Sequence, residues 1–131
     1  MLDGRVNQFT GGATWNGTSV VLALSANTPA EVEAALRTAH SLWKTQVAWD
    51  ERIRDYAAQA LLPLKNESWL AEDEVEVTEG QFKERMTLES ITVDPDGSFE
   101  FWHGDGDLFW GHSIQITGSL SEGPTDAGIP G

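Results

Sequence analysis

The sequence predicts an α+β fold in a single domain, residues 1–131: an antiparallel β-sheet with two or three helices packed on one face. The sheet is expected to combine an N-terminal hairpin with a C-terminal three-stranded meander. Three observations carry this. Apolar residues recur at helical spacing between positions 29 and 70. Hairpin turn signals flank that region on both sides. The length of 131 residues is that of one domain, and the absence of cysteine leaves the core to be held by packing alone.

The elements follow in order. Asn16-Gly17 is a type I′ turn signal. It joins a strand over 9–15, interrupted by Gly11-Gly12, to a returning strand over 18–24. Thr28 can cap a helix, Pro29 suits its first position, and Glu31 completes a capping box. Val32, Leu36, Ala39, Trp43 and Val47 then mark an apolar stripe, continued by Trp49, Ile53, Tyr56, Ala57, Ala60, Leu61 and Leu64. The phase shifts near Trp49-Asp50, which leaves one long helix or two open, with Asp50 able to cap the second. Pro63 is expected to kink or end it, and Trp69 and Leu70 to pack back on the core. Residues 71–77 form an acidic loop, and Thr78 with Gln81 caps a short helix through Phe82 and Met86.

The last third reads as β. Asp94-Pro95-Asp96-Gly97 suits a three-residue hairpin with a G1 bulge, because that register sets Val93 against Phe99 and Ile91 against Phe101. Asp105-Gly106 is taken as the next tight turn, pairing Phe101 with Trp110, His103 with Leu108 and Phe99 with His112. In that register Trp110 and His112 lie on the core face, His103 faces Glu89 at the surface, and Trp102 and Phe109 project from the opposite face. The segment from Gly123 onward reads as a partly ordered tail.

The formal net charge is −13. It is unevenly placed: residues 1–66 balance, whereas residues 86–131 carry eight acidic groups and no Lys or Arg. This argues against direct binding to a nucleic-acid backbone. No apolar run is long enough for a membrane span, and Met1–Arg5 holds no apolar export stretch. Nucleophile, metalloprotease, dinucleotide and phosphate-loop motifs are missing, so no catalytic residue and no cofactor is expected.

Two constellations stand out. Trp102 and Phe109, flanked by the acidic residues Glu72, Asp73, Glu74, Glu76, Asp105 and Asp107, make a candidate partner-binding surface of aromatic anchors in a negative field. His103, Asp105 and Asp107 are weak candidate ligands for a divalent cation.

The run Asp105-Gly106-Asp107-Leu108-Phe109-Trp110-Gly111-His112-Ser113-Ile114, with Leu88-Glu89-Ser90-Ile91 and Asp96-Gly97-Ser98, resembles a bacterial domain-of-unknown-function family, numbered 2262. The Trp49 helix, Trp69 and the Phe82 segment are also similar. The resemblance implies a small bacterial cytosolic domain and supplies no catalytic residues. The function expected is that of an acidic protein-binding domain, most concretely an immunity- or antitoxin-type inhibitor of a basic protein partner. The alternative is a ligand- or divalent-metal-binding domain. The oligomeric state is left open.

Overall fold

The computed structural model describes residues 7–130, so the Met1–Arg5 reading and Gly131 lie outside the described residues. The order is β1 (Asn7–Trp15), β2 (Thr18–Ala26), α1 (Pro29–Lys44), α2 (Gln46–Ser68), α3 (Glu79–Arg85), β3 (Thr87–Val93), β4 (Ser98–Gly104), β5 (Ile114–Ser119) and β6 (Gly123–Gly128). The strands form one six-stranded sheet in sequential order. All neighbours are antiparallel except β2 and β3, whose parallel pairing of Leu22 with Ile91 and Leu24 with Val93 joins the hairpin to the meander. A parallel pair needs a long crossover, and the three helices supply it.

Local chemistry places each element. Asn16 and Gly17 both have positive φ, as a type I′ turn demands, and Trp15 pairs with Thr18. The Thr28 hydroxyl accepts from the Glu31 N–H, whereas the Glu31 carboxylate reaches back to the Asn27 N–H rather than to Thr28 itself. The helical region is two helices. They part at Thr45, four residues before the apolar phase shift becomes visible. Asp50 caps nothing: its carboxylate accepts from Trp15 Nε1 (3.0 Å) and pairs with Arg54 (2.9 Å). Pro63 neither ends the helix nor stands in its buried stripe. It lies on the exposed side of α2, where the lost backbone bond is left to solvent while buried Leu61 and Lys65 hold the turns around it. Thr78 and Gln81 make the expected capping box on α3. Gly97, at φ 93°, closes the β3–β4 turn in the bulged register, with Val93 on Phe99 and Ile91 on Phe101.

One face of the sheet is the core face. Val20, Leu24, Ile91, Val93, Phe99, Phe101, Ile114 and Ile116 are buried there with Leu42, Trp49, Ile53, Ala57 and Phe82 of the helices. Burying each such aliphatic or aromatic side chain contributes about 1.5–3 kcal/mol. Trp15 is the corner post, edge-on to Trp43 (4.9 Å) and to Phe101 (5.4 Å). The other face carries Thr10, Thr14, Ser90, Thr92, Glu100, Trp102 and Gln115 by alternation along the strands.

Two expectations at the C-terminal end are corrected. The segment from Gly123 to Gly128 is a sixth strand, registered on β5. The β4–β5 connection is not a two-residue turn but nine residues long, and β5 starts at Ile114. Phe101 therefore pairs with Ile116, and His103 with Ile114. The slip is an even number of residues, so each strand residue keeps its face and the hydrophobic pattern could not expose the error.

Candidate functional site

The nine-residue connection is built around one carboxylate. Asp105 is buried, and its Oδ1 accepts from the Asp107 N–H (3.0 Å) while Oδ2 accepts from the N–H groups of Phe109 (2.8 Å) and Gly111 (3.0 Å). Three backbone donors on one charged acceptor form a rigid local frame, because bonds to an ionised group are the stronger kind. Within that frame Leu108 and Phe109 turn into the core, both fully buried. Trp110 turns out. It is 60% exposed and stands at φ 56°, a left-handed conformation rare for a bulky side chain. Gly106 could not carry a side chain: a Cβ there would lie 2.5 Å from the Arg85 carbonyl oxygen.

Trp110 is one wall of an aromatic cluster. Its ring centroid lies 4.8 Å from that of Trp69, and Trp69 also meets His112 and Phe109 edge-on at 5.5 Å. The acidic loop joins the same corner through a chain of contacts. Buried Lys65 donates to the Trp69 carbonyl (2.7 Å) and to Glu74 Oε1 (3.0 Å). The other oxygen of Glu74 faces Arg85 at 3.8 Å, and Arg85 donates twice to the Gly106 carbonyl (2.9 and 2.7 Å). The Ala71 N–H and Lys65 hold the Glu74 carboxyl below its usual range. At the far end of the loop Asn66 exchanges two hydrogen bonds with Val77. Clamped at both ends, the loop presents Glu72, Asp73, Val75 and Glu76, with Val75 81% exposed. A groove of about 330 Å³ runs beside it, lined by Val75, Glu76, Gln81, Glu84 and Arg85 among others.

The predicted site residues sort as follows. Glu72, Asp73 and Glu76 are exposed at this corner, and Asp107 is exposed on the adjoining connection. Glu74 is half-buried and its carboxylate is taken up by Lys65, Ala71 and Arg85. Asp105 is spent on the backbone frame and presents nothing outward. Phe109 is no surface anchor, since it packs in the core against Phe82 and Trp69. Trp102 is half-buried on the open sheet face between Ser90 and Gln115, so the structure does not bring it together with Phe109. The two histidines exchange their expected places. His103 is fully buried, neither ring nitrogen has a hydrogen-bond partner among the described residues, and burial pushes its pKa down to about 3, the charge of Arg54 adding to the effect. His112 is half-buried at the aromatic corner. The metal expectation is corrected with it: Asp105 is engaged, His103 is sealed off, and no group of three or more potential ligands converges among the described residues.

Sequence reasoning missed Trp69, Trp110 and His112 as a surface cluster. A signal was present. Leu108-Phe109-Trp110 is three apolar residues in a row, which breaks strand alternation, and Gly111 follows at once.

The comparisons decide the family. The model of DUF2262, described as an uncharacterized protein conserved in bacteria, matches residues 1–129. The chain belongs to this family. Comparison with curated proteins and with solved structures gives no match. The DUF2262 description assigns no residue a role, so the site stands on geometry alone. No helix among the described residues is long and apolar enough to cross a membrane.

Proposed function

We propose that this DUF2262 domain binds a basic protein partner through the corner formed by Trp69, Trp110, His112 and the acidic loop 71–77. In its most concrete form it is an immunity- or antitoxin-type inhibitor, working in the bacterial cytoplasm, that blocks a partner's cleft by occupying it. The observation that carries the reading is Trp110. A large apolar ring is held in water, in a left-handed backbone conformation, by a frame that a buried carboxylate organises. Strain of this kind persists where surrounding structure enforces it, and such outliers cluster at functional positions. Tryptophan is also the side chain most enriched among interface hot spots. The acidic rim adds attraction toward a positive cleft and raises the association rate. Steric blockade needs no catalytic group, in keeping with the motifs the chain carries.

The test uses the full chain and a Trp110→Gly variant as baits against lysate of the source bacterium, at low and high salt. A basic protein retained by the wild type at low salt, released at high salt, and lost with Trp110→Gly is the expected result. Equal retention by both baits, or no retention by either, overturns the reading.

A further inference from the structure

The two edges of the sheet are treated differently. Strand β6 is blunted: Pro124 interrupts its donors, a bulge at Thr117/Gly118 breaks its register, and Asp126 adds charge. Those are the usual defences of an edge strand against pairing with another chain. Strand β1 has none of them. It runs nine residues without a proline, a bulge or a charged side chain. The whole stretch 6–30 lacks any Asp, Glu, Lys, Arg or His, in a chain whose net charge is −13.

The outer edge of β1 is also shaped. Trp15 and Thr18 flank the two-residue turn, so the odd-numbered residues direct their backbone bonds at β2. Gln8, Thr10, Gly12 and Thr14 therefore direct theirs outward. On the core face, Gly11 leaves a gap between Phe9 and Ala13, and the groove there, about 220 Å³, is lined by Phe9, Gly11, Leu22 and Leu24 with the backbone of Thr10 and Gly12. Phe9 stands 49% exposed at its end, and a Cβ added at either glycine would meet nothing.

We infer that the β1 edge pairs antiparallel with β1 of a second copy of this chain, giving one continuous sheet across a two-fold axis. The register centred on Gly11 uses the full strand. It sets Thr10 against Gly12 and Gln8 against Thr14 of the other copy, with on the order of eight backbone hydrogen bonds. It also places each Phe9 opposite Ala13 and diagonal to Gly11 of the other copy, over the glycine groove. Charge selects a second copy as the occupant. Like copies repel through every acidic surface, and β1 is the edge farthest from the acidic strands β4 to β6. With strands about 4.8 Å apart, β1 and β6 are separated by about 24 Å, more than two Debye lengths at physiological salt. Neutral surface meets neutral surface, while the Trp110 corner is left outside the interface.

Light scattering on the full chain at high-micromolar concentration is expected to give twice the chain mass of 14.3 kDa. Thr10→Pro removes an outward N–H, which an edge strand tolerates, and is expected to halve that mass with circular dichroism unchanged. A Thr10→Lys/Gly12→Lys chain and a Thr10→Glu/Gly12→Glu chain are each expected to be monomeric alone and to pair when mixed. Slower amide exchange in β1 at high than at low protein concentration locates the contact without any variant. A wild type of single-chain mass, or a folded Thr10→Pro dimer, overturns the inference. So does concentration-dependent protection confined to other strands.

Discussion

Trp110 has two opposing effects on the free protein. Its left-handed backbone costs a non-glycine residue about 1–2 kcal/mol, and its ring contact with Trp69 returns about 0.5–1.5 kcal/mol. Trp110→Gly should therefore change stability by at most about 1.5 kcal/mol, while losing about 2 kcal/mol or more of partner binding, roughly 30-fold, as hot-spot residues do. Urea unfolding paired with a binding isotherm checks both halves. Asp105→Ala should do the reverse in the free protein. It strips three backbone N–H groups of their acceptor, and stability should fall by about 2–4 kcal/mol in the same unfolding assay. His103 gives the pH dependence. Its folded pKa lies near 3, below the ordinary 6.5, so the unfolded chain takes up the proton first as pH falls. The stability that neutral His103 contributes is complete above about pH 6.5 and is lost toward pH 3, with a slope approaching about 1.4 kcal/mol per pH unit. The carboxyls of Glu74 and Asp96, lowered from 4.5 and 3.8, act mainly below about pH 5, so of these three groups the histidine dominates between about pH 5 and 6.5. His103→Met should flatten the stability profile there, and an unchanged profile would show that His103 finds a partner in solution.

The elements that local chemistry defines were legible in the sequence, and the connections that tertiary packing defines were not. Asn16-Gly17, Thr28-Pro29 and Thr78 with Gln81 each satisfy orphan backbone groups within a few residues, so their elements follow from neighbours alone. The β4–β5 connection depends on Asp105 reaching residues up to six positions away, which no turn dipeptide announces. The break at Thr45 escaped for a similar reason. The junction is stitched to the hairpin turn by Gln46, whose side chain accepts from the Asn16 N–H at 2.7 Å. At the site, the acidic loop was legible by composition, but its anchor was not. Lys65 lies on the last turns of α2 and reads as an ordinary surface lysine, yet it is fully buried. Lys65→Met should deprive the Trp69 carbonyl and Glu74 of the ammonium donor and loosen the loop's near end from α2. Faster amide exchange at Ala71, whose N–H is held by Glu74, is the expected outcome, and an unchanged rate there would detach the loop's order from this lysine.

Across the whole molecule, charge and apolar surface are segregated. The hairpin is neutral, the helices carry most of the basic side chains and offset them with eight acidic ones, and the acidic groups without basic neighbours in sequence lie in the loop after α2 and in the last four strands with their turns. A distribution of this kind gives one protein two surfaces that respond to salt in opposite ways. Binding at the Trp110 corner involves exposed surface carboxylates, whose field is screened within about 8 Å at physiological salt. Dimerisation at β1 joins uncharged backbone and apolar groups between two net-negative bodies, so added salt removes repulsion and takes away no attraction. Raising salt from low to high should weaken partner binding about tenfold or more, mostly through slower association, while dimerisation stays level or tightens. Surface plasmon resonance for the partner and sedimentation velocity for the chain alone, run across the same salt series, separate the two. If both weaken together, the acidic residues contribute to the contact between copies. If neither changes, the acidic loop contributes no attraction, and the Trp69, Trp110 and His112 rings alone make the partner contact.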